Sequence, residues 1–418
     1  MKKRLLISLG ILSLLIVTLY LMVSCGTEEN GSVTKTTLYV YNWGEYISDG
    51  SEDSLDVNAE FEAYCREELG IDVTVNYSTF SSNEDMYAKI SSGSATYDVI
   101  IPSDYMIQRM VEEKLLIPLD LSKIPNYQYI DDSFKGDNIY YEDDSDNSYS
   151  VPYFYGMVGV IYNHSIVAED EEQIGSWGLM WDADYTGDIL QFNNNRDAFG
   201  TALYYLGYDV NDATEEQWLE ALELLKEQKN IVQGYVMDEI FNKMKSGSAA
   251  VAAYYAGDYL SMYEDNDELS FFYPEEGTNI YVDAMCIPKG AKNVDLAHEY
   301  INFMCREDVG VANAEYTYYA SPLTTVVNNE DYQATMADVH EDAMEILYGE
   351  MAASVPSQAY LNLSPEALTR LNDLWEELKV ESSIGTGIYV LCALILAVLI
   401  LIAAYQFFKK RRWAKLYD

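Results

Sequence analysis

The chain has 418 residues, enough for two domains, and sets 25 Lys+Arg against 69 Asp+Glu, a formal net charge of −44 at pH 7. A field of that sign repels nucleic acid and attracts small polycations, although it also serves plain solubility. Its 3 histidines are isolated and its 5 cysteines include no CxxC, so neither a zinc spacing nor a disulfide framework is indicated, and no metal or cofactor is expected.

In chain order, Lys2, Lys3 and Arg4 precede the apolar run 5–24, which closes on Cys25 and Gly26. Residues 1–25 therefore read as a secretory signal of lipoprotein type with Cys25 as the lipidated residue, the alternative being an uncleaved anchor. Residues 26–36 are a polar linker. Strand and helix patterns then alternate: a strand at 37–42, a helix near 55–70 ending at Gly70, and the alternating strand "IDVTVNY" at 71–77. A helix follows to about 92, opened by a capping box at Ser81 and Glu84, then the buried strand "YDVII" at 97–101 and a helix at 103–114. This βαβαβ order predicts a mostly parallel sheet.

The acidic stretch "EDDSDN", 142–147, lacks the glycine and distal glutamate of a calcium loop and reads as solvated. The pattern restarts with the strand-rich crossing "SVPYFYGMVGVIYN", then "SWGLMWDADYTGDILQF" as helix, turn and strand. Glu215 to Lys229 is an amphipathic helix with Trp218, Leu219, Leu222 and Leu225 on one face. "AAVAAYY" and "YVDAMCIP" are strands, and helices near 292–305, 307–316 and 364–379 follow. Residues 382–408 hold no charge and exceed the ~20 residues a spanning helix needs, and a basic tail, 409–418, comes next. The sequence predicts a transmembrane helix there, with the tail inside and the middle of the chain outside.

Aromatic and acidic residues recur where strands end: Trp43 and Tyr46, Ser103 and Tyr105, Tyr255 and Asp258, Tyr281 and Asp283, and Tyr319. One such residue is ordinary packing; five sets in the same topological position predict a lined cleft. Aromatic faces hold methylene chains and attract ammonium groups, and carboxylates pair with ammonium ends. The implied ligand is a thin chain with positive ends, although sugars also stack on aromatics.

The segments "YNWGEY", "MYAKISSGSATYDVIIPSDY", "YSVPYFYG", "SWGLMWDADYTGDI", "NNNRDAFGTALYYLGY", "YYAGDY", "YVDAMCIPKGAKN" and "AHEYINFM" occur in this order. Over roughly residues 37–380 the chain resembles the substrate-binding proteins of spermidine/putrescine ABC transporters. The resemblance implies an α/β, two-lobed periplasmic-binding-protein fold of type II, each lobe a mixed sheet flanked by helices. Lobe 1 is expected over 37–150 and 282–325, and lobe 2 over 151–281 and 326–380. It further implies binding without turnover of putrescine or spermidine, and delivery to a membrane-embedded permease with its ATPase. The expected location is the outer face of the cell membrane, held by the Cys25 lipid and the carboxyl-terminal helix. Trp43, Tyr46, Tyr105, Tyr255, Tyr281 and Tyr319 match aromatic wall positions, and Ser103 a polar contact. Asp283 matches the principal ammonium partner, Asp197 a carboxylate reaching an amine, and Asp258 an acid of the putrescine-preferring branch. The chain departs from the family at Tyr255 and Tyr281, where tryptophan is common, at Asn194, where one member type has aspartate, and at Gly44, which replaces a hydroxyl residue. A late glutamine contact of the family would fall near Tyr360 to Asn362, where this chain has no aligned counterpart. The rivals are a solute-binding protein for a sugar or peptide, an exported glycosidase with paired carboxylates, and a structural surface protein; no nucleophile motif supports the enzyme.

Overall fold

A computed structural model describes residues 35–51, 54–136, 149–380, 394–398 and 405. Strand β1 (Thr36–Trp43) runs parallel to β2 (Val73–Phe80), with Leu38 and Val40 fully buried. Between them, α1 (Val57–Tyr64) is capped by the Asp56 side chain and runs on into a π-helical turn that stops at Gly70, whose φ is +67°. The register pairs Trp43 with Phe80, so the indole ends the strand against a phenyl ring 4.5 Å away. Helix α2 (Asn83–Ser91) is capped by Ser82, which accepts from the Asp85 N–H, and not by the predicted box at Ser81 and Glu84. That one-residue offset leaves the Glu84 side chain for another role. The short strand β3 (Val99–Ile100) leads into α3 (Asp104–Glu112).

Strand β4 (Ser150–Asn163) is the long crossing expected from its sequence. The predicted helix in "SWGLMWDADY" is instead two 3-10 turns, because Ser176 and Asp182 each cap a new turn within six residues. Trp177 is 1% exposed there and donates from Nε1 to the Gly277 carbonyl at 2.8 Å. Strand β5 (Ile189–Phe192), α4 (Asn195–Tyr205), α5 (Glu215–Lys229), β6 (Val232–Val236), α6 (Glu239–Lys245), β7 (Val251–Tyr255) and α7 (Ala256–Asp265) follow. In α5, Trp218, Leu222 and Leu225 are buried while Leu219 is exposed. Strands β8 (Leu269–Phe272) and β9 (Thr278–Cys286) precede α8 (Val294–Met304) and α9 (Glu307–Thr317). The chain then forms α10 (Thr324–Val327), α11 (Glu330–Val339), α12 (Ala343–Tyr348), α13 (Glu350–Ala353), β10 (Ser357–Gln358) and α14 (Pro365–Val380).

The sheet order is β2-β1-β3-β9-β4-β7-β5-β6, with β10 added on β9 and β8 on β4. The first part of β4 pairs antiparallel with β9, and its second part pairs with β7 and β8. Two groups of strands, each mixed in direction, thus meet on β4 and β9. The carboxyl ends of parallel strands β1, β5 and β7 are where an α/β sheet leaves a crevice.

The expectation of a transmembrane helix over 382–408 is corrected. No helix among the described residues is long and apolar enough to cross a membrane; of 382–408 the described residues are 394–398 and 405. The signal and Cys25, nearly all of the linker, the 142–147 stretch and the basic tail lie outside the described residues.

Candidate functional site

One cleft of about 870 Å³ is lined by the nine side chains expected at strand ends and by Asp197, which the family resemblance implied. Three of its carboxylates are each held by a tyrosine hydroxyl. Tyr46 donates to Asp283 Oδ2 at 2.7 Å, Tyr319 to Asp258 Oδ2 at 2.7 Å, and Tyr255 to Asp197 Oδ2 at 2.8 Å. Asp283 is 5% exposed, yet its Oδ1 has no hydrogen-bond partner among the described residues. An unmatched acceptor of this kind is costly unless something supplies a donor.

The local chain explains these placements. Asp283 lies on β9 beside Ser103, with which it forms an isolated bridge. Asp258 and Asp197 lie in the first turns of α7 and α4, and Asn194 caps α4 while its amide also donates to Asp197 Oδ2 at 2.7 Å. Tyr255 and Trp43 end β7 and β1. Gly257 makes room for Tyr319: a Cβ there would lie 2.8 Å from the ring's Cδ2. The rings of Tyr46 and Tyr319 meet edge to face at 4.7 Å, Tyr255 and Tyr281 at 5.2 Å, and Tyr281 and Tyr319 at 6.4 Å, which makes an aromatic row.

Burial dominates the acid chemistry. It lifts Asp283 to about 6, against the Ser103 and Tyr46 hydroxyls, and Asp258 to about 8, against the Tyr319 hydroxyl. Asp197 and Glu84 are also raised, again chiefly by burial. Arg196 acts on Asp197 and Glu84 and Lys245 on Asp258, but in each case burial outweighs the cation. Arg196 is the cation among the described lining residues, and it is already engaged: its Nη2 donates to Asn211 Oδ1 at 2.9 Å and to the Leu361 carbonyl at 3.2 Å. Among the described residues no cluster of His, Cys, Asp or Glu could hold a metal ion.

Several lining residues escaped the sequence reading. Asn83 donates to Ser103 Oγ and to the Tyr105 hydroxyl, both at 3.1 Å, and Tyr105 donates in turn to Glu84 Oε1 at 3.0 Å. Tyr360 arrives from the segment before α14 and lies over Arg196, 4.5 Å from guanidinium carbon to ring centre. The available signal for it was Gly200, where a side chain would collide with the Tyr360 hydroxyl. Asp238 stands exposed at the cleft edge.

Known proteins share this architecture. The spermidine/putrescine-binding periplasmic protein 1 of Haemophilus influenzae is 32% identical over 318 residues, 76% of this chain and 82% of that protein. The spermidine/putrescine-binding periplasmic protein of Salmonella typhimurium is 31% identical over 287 residues, 68% of this chain and 77% of that one. A structure assigned to a spermidine/putrescine ABC transporter of Listeria monocytogenes superposes with a TM-score of 0.73 at 36% identity, covering 82% of this chain and 99% of that one. The family model for bacterial extracellular solute-binding proteins matches residues 59–339, and the chain belongs to that family.

Proposed function

We propose that this protein captures a polyamine, putrescine or spermidine, in the cleft and delivers it to a membrane-embedded ABC permease with its ATPase. The observation that carries this reading is the buried Asp283 oxygen that has no hydrogen-bond partner among the described residues, in a row of tyrosine-held carboxylates whose cation among the described lining residues, Arg196, is engaged elsewhere. An ammonium group supplies both the missing donor and the missing charge, and tyrosine faces cover the methylenes between ammonium groups. The names of the relatives agree with it.

Residues 37–150 with 282–325 form one lobe in this reading, and 151–281 with 326–380 the other; the meeting of the two strand groups on β4 and β9 supports the division. The lobes close on the ligand and release it unchanged; the protein is not an enzyme. It acts on the extracytoplasmic face, tethered by a lipid on Cys25. Fatty-acid labelling that is lost in Cys25→Ala tests the tether, and labelling that persists refutes it.

Calorimetric titration of the purified protein with putrescine, spermidine and a neutral sugar tests the ligand. Saturable binding of an amine, with a smaller radius of gyration in solution scattering, is expected. Binding of the sugar without binding of either amine overturns the reading.

A further inference from the structure

Two residues outside the predicted set meet across the mouth of the cleft. Gly44 follows β1 and Asp238 precedes α6, so they come from the two strand groups, and both line the cleft. A Cβ on Gly44 would sit 2.7 Å from Asp238 Oδ2, closer than such atoms approach. Any side chain at position 44 therefore displaces the Asp238 carboxylate. The next residue, Glu45, holds a left-handed φ of +48°, an uncommon state for a residue other than glycine, and its exposed side chain lines the same mouth. Behind them lies Asp258, and the charges of Asp238 and Glu45 both act on it. Lys245 acts on Asp258 in the opposite sense, but it is paired with Asp265 at 2.8 Å. The amino end of α6 gives Asp238 no side-chain cap bond; partial burial and the neighbouring Glu239 raise its carboxyl, and its own backbone N–H acts in the opposite sense.

We propose that Asp238 is a specificity-determining residue: seated against Gly44, it gives the Asp258 end of the cleft a second carboxylate, and that end selects a ligand that brings an ammonium group to it. The inference rests on the polyamine reading and assigns the mouth its share of the selectivity. A ligand with one ammonium group places it at Asp283, where a buried oxygen lacks a donor. A diamine must in addition place its second charge, and the mouth is where Asp238 meets it.

The test compares putrescine with 4-amino-1-butanol, which has the same length and a single charge. Asp238→Asn is a surface change and leaves the melting temperature within a degree or two of the unmodified protein. At low ionic strength it weakens putrescine by about threefold and the amino alcohol by less, and the salt dependence of putrescine binding becomes shallower. Asp238→Glu recovers part of the loss. Gly44→Ala produces the same change in the putrescine-to-aminobutanol ratio, and the double variant is no worse than either single one. An unchanged ratio in Asp238→Asn, in a protein that still binds putrescine, overturns this inference alone. Fully additive losses from Gly44→Ala and Asp238→Asn overturn the seating of Asp238 by Gly44. If the unmodified protein binds neither compound, the polyamine reading falls and takes this inference with it.

Discussion

Asp258→Asn should stabilise the ligand-free protein, and more so as pH rises. Asp258 is 6% exposed, and burial lifts its carboxyl to about 8 from an ordinary 3.8. Between those values the folded protein keeps a proton that the unfolded chain has released. Stability is therefore fully present below the unfolded value, and is lost as pH rises toward the folded one. The gap is about four pH units, and one unit is worth about 1.4 kcal/mol, so the loss approaches 5 kcal/mol by pH 8. Asparagine keeps the shape and has no charge to bury. Urea denaturation of both proteins at pH 5, 6, 7, 8 and 9 isolates the effect, because Asp283 and Asp197 titrate in both and cancel in the difference. The difference should grow in favour of Asp258→Asn up to about pH 8 and then level off. Saturating putrescine should flatten the slope of the unmodified protein, since an ammonium group takes the proton's place. At pH 7 calorimetry in two buffers of different ionisation enthalpy should detect release of about one proton, absent in Asp258→Asn. A stability difference that stays constant from pH 5 to pH 8 refutes the reasoning.

In the proposed site Asp283 is the principal ammonium partner, so Asp283→Asn should weaken both putrescine and spermidine by about 2–5 kcal/mol, roughly 30-fold to several thousandfold by calorimetry; near-native affinity would remove the site assignment. Asp258→Asn should weaken putrescine more than spermidine and Asp197→Asn the reverse, and equal losses for both amines would end that division of labour. Trp177→Ala deletes a buried indole and its bond to Gly277 and should cost about 3–5 kcal/mol in urea denaturation without changing which amine is preferred; a loss under about 1 kcal/mol would show that the site refills.

Most strands and helices were legible because their signals are local. Helix α5 begins and ends where its sequence predicts, since Thr214 and Gln217 form a capping box and apolar residues keep helical spacing. Two adjacent serines defeated the reading at α2, where local sequence permits either as cap and packing selects Ser82. The apolar "WGLMW" satisfied a helical pattern, but Ser176 and Asp182 cut it into single turns, and Trp177 is buried through its bond to Gly277, a hundred residues away. The site divides in the same way. Trp43 and Tyr255 announce themselves by ending strands and Ser103 by opening a helix just after one, and topology then gathers them. Glu84, Asp238 and Tyr360 come from a helix start, a loop and a late segment, and only tertiary contact brings them in. The traces of Asp238 and Tyr360 are glycines at positions 44 and 200; the first reads only as the replacement of a hydroxyl residue and the second stands unremarked within a helix until the opposing side chain is known. The acids carry the remaining lesson. Glu84 and Glu45 face Asp197, Asp238 and Asp258 across the cleft, so like charges approach as the walls do. Local consistency fails here because, in the proposed reading, the chain alone is not the complete electrostatic system and a bound polyamine completes it.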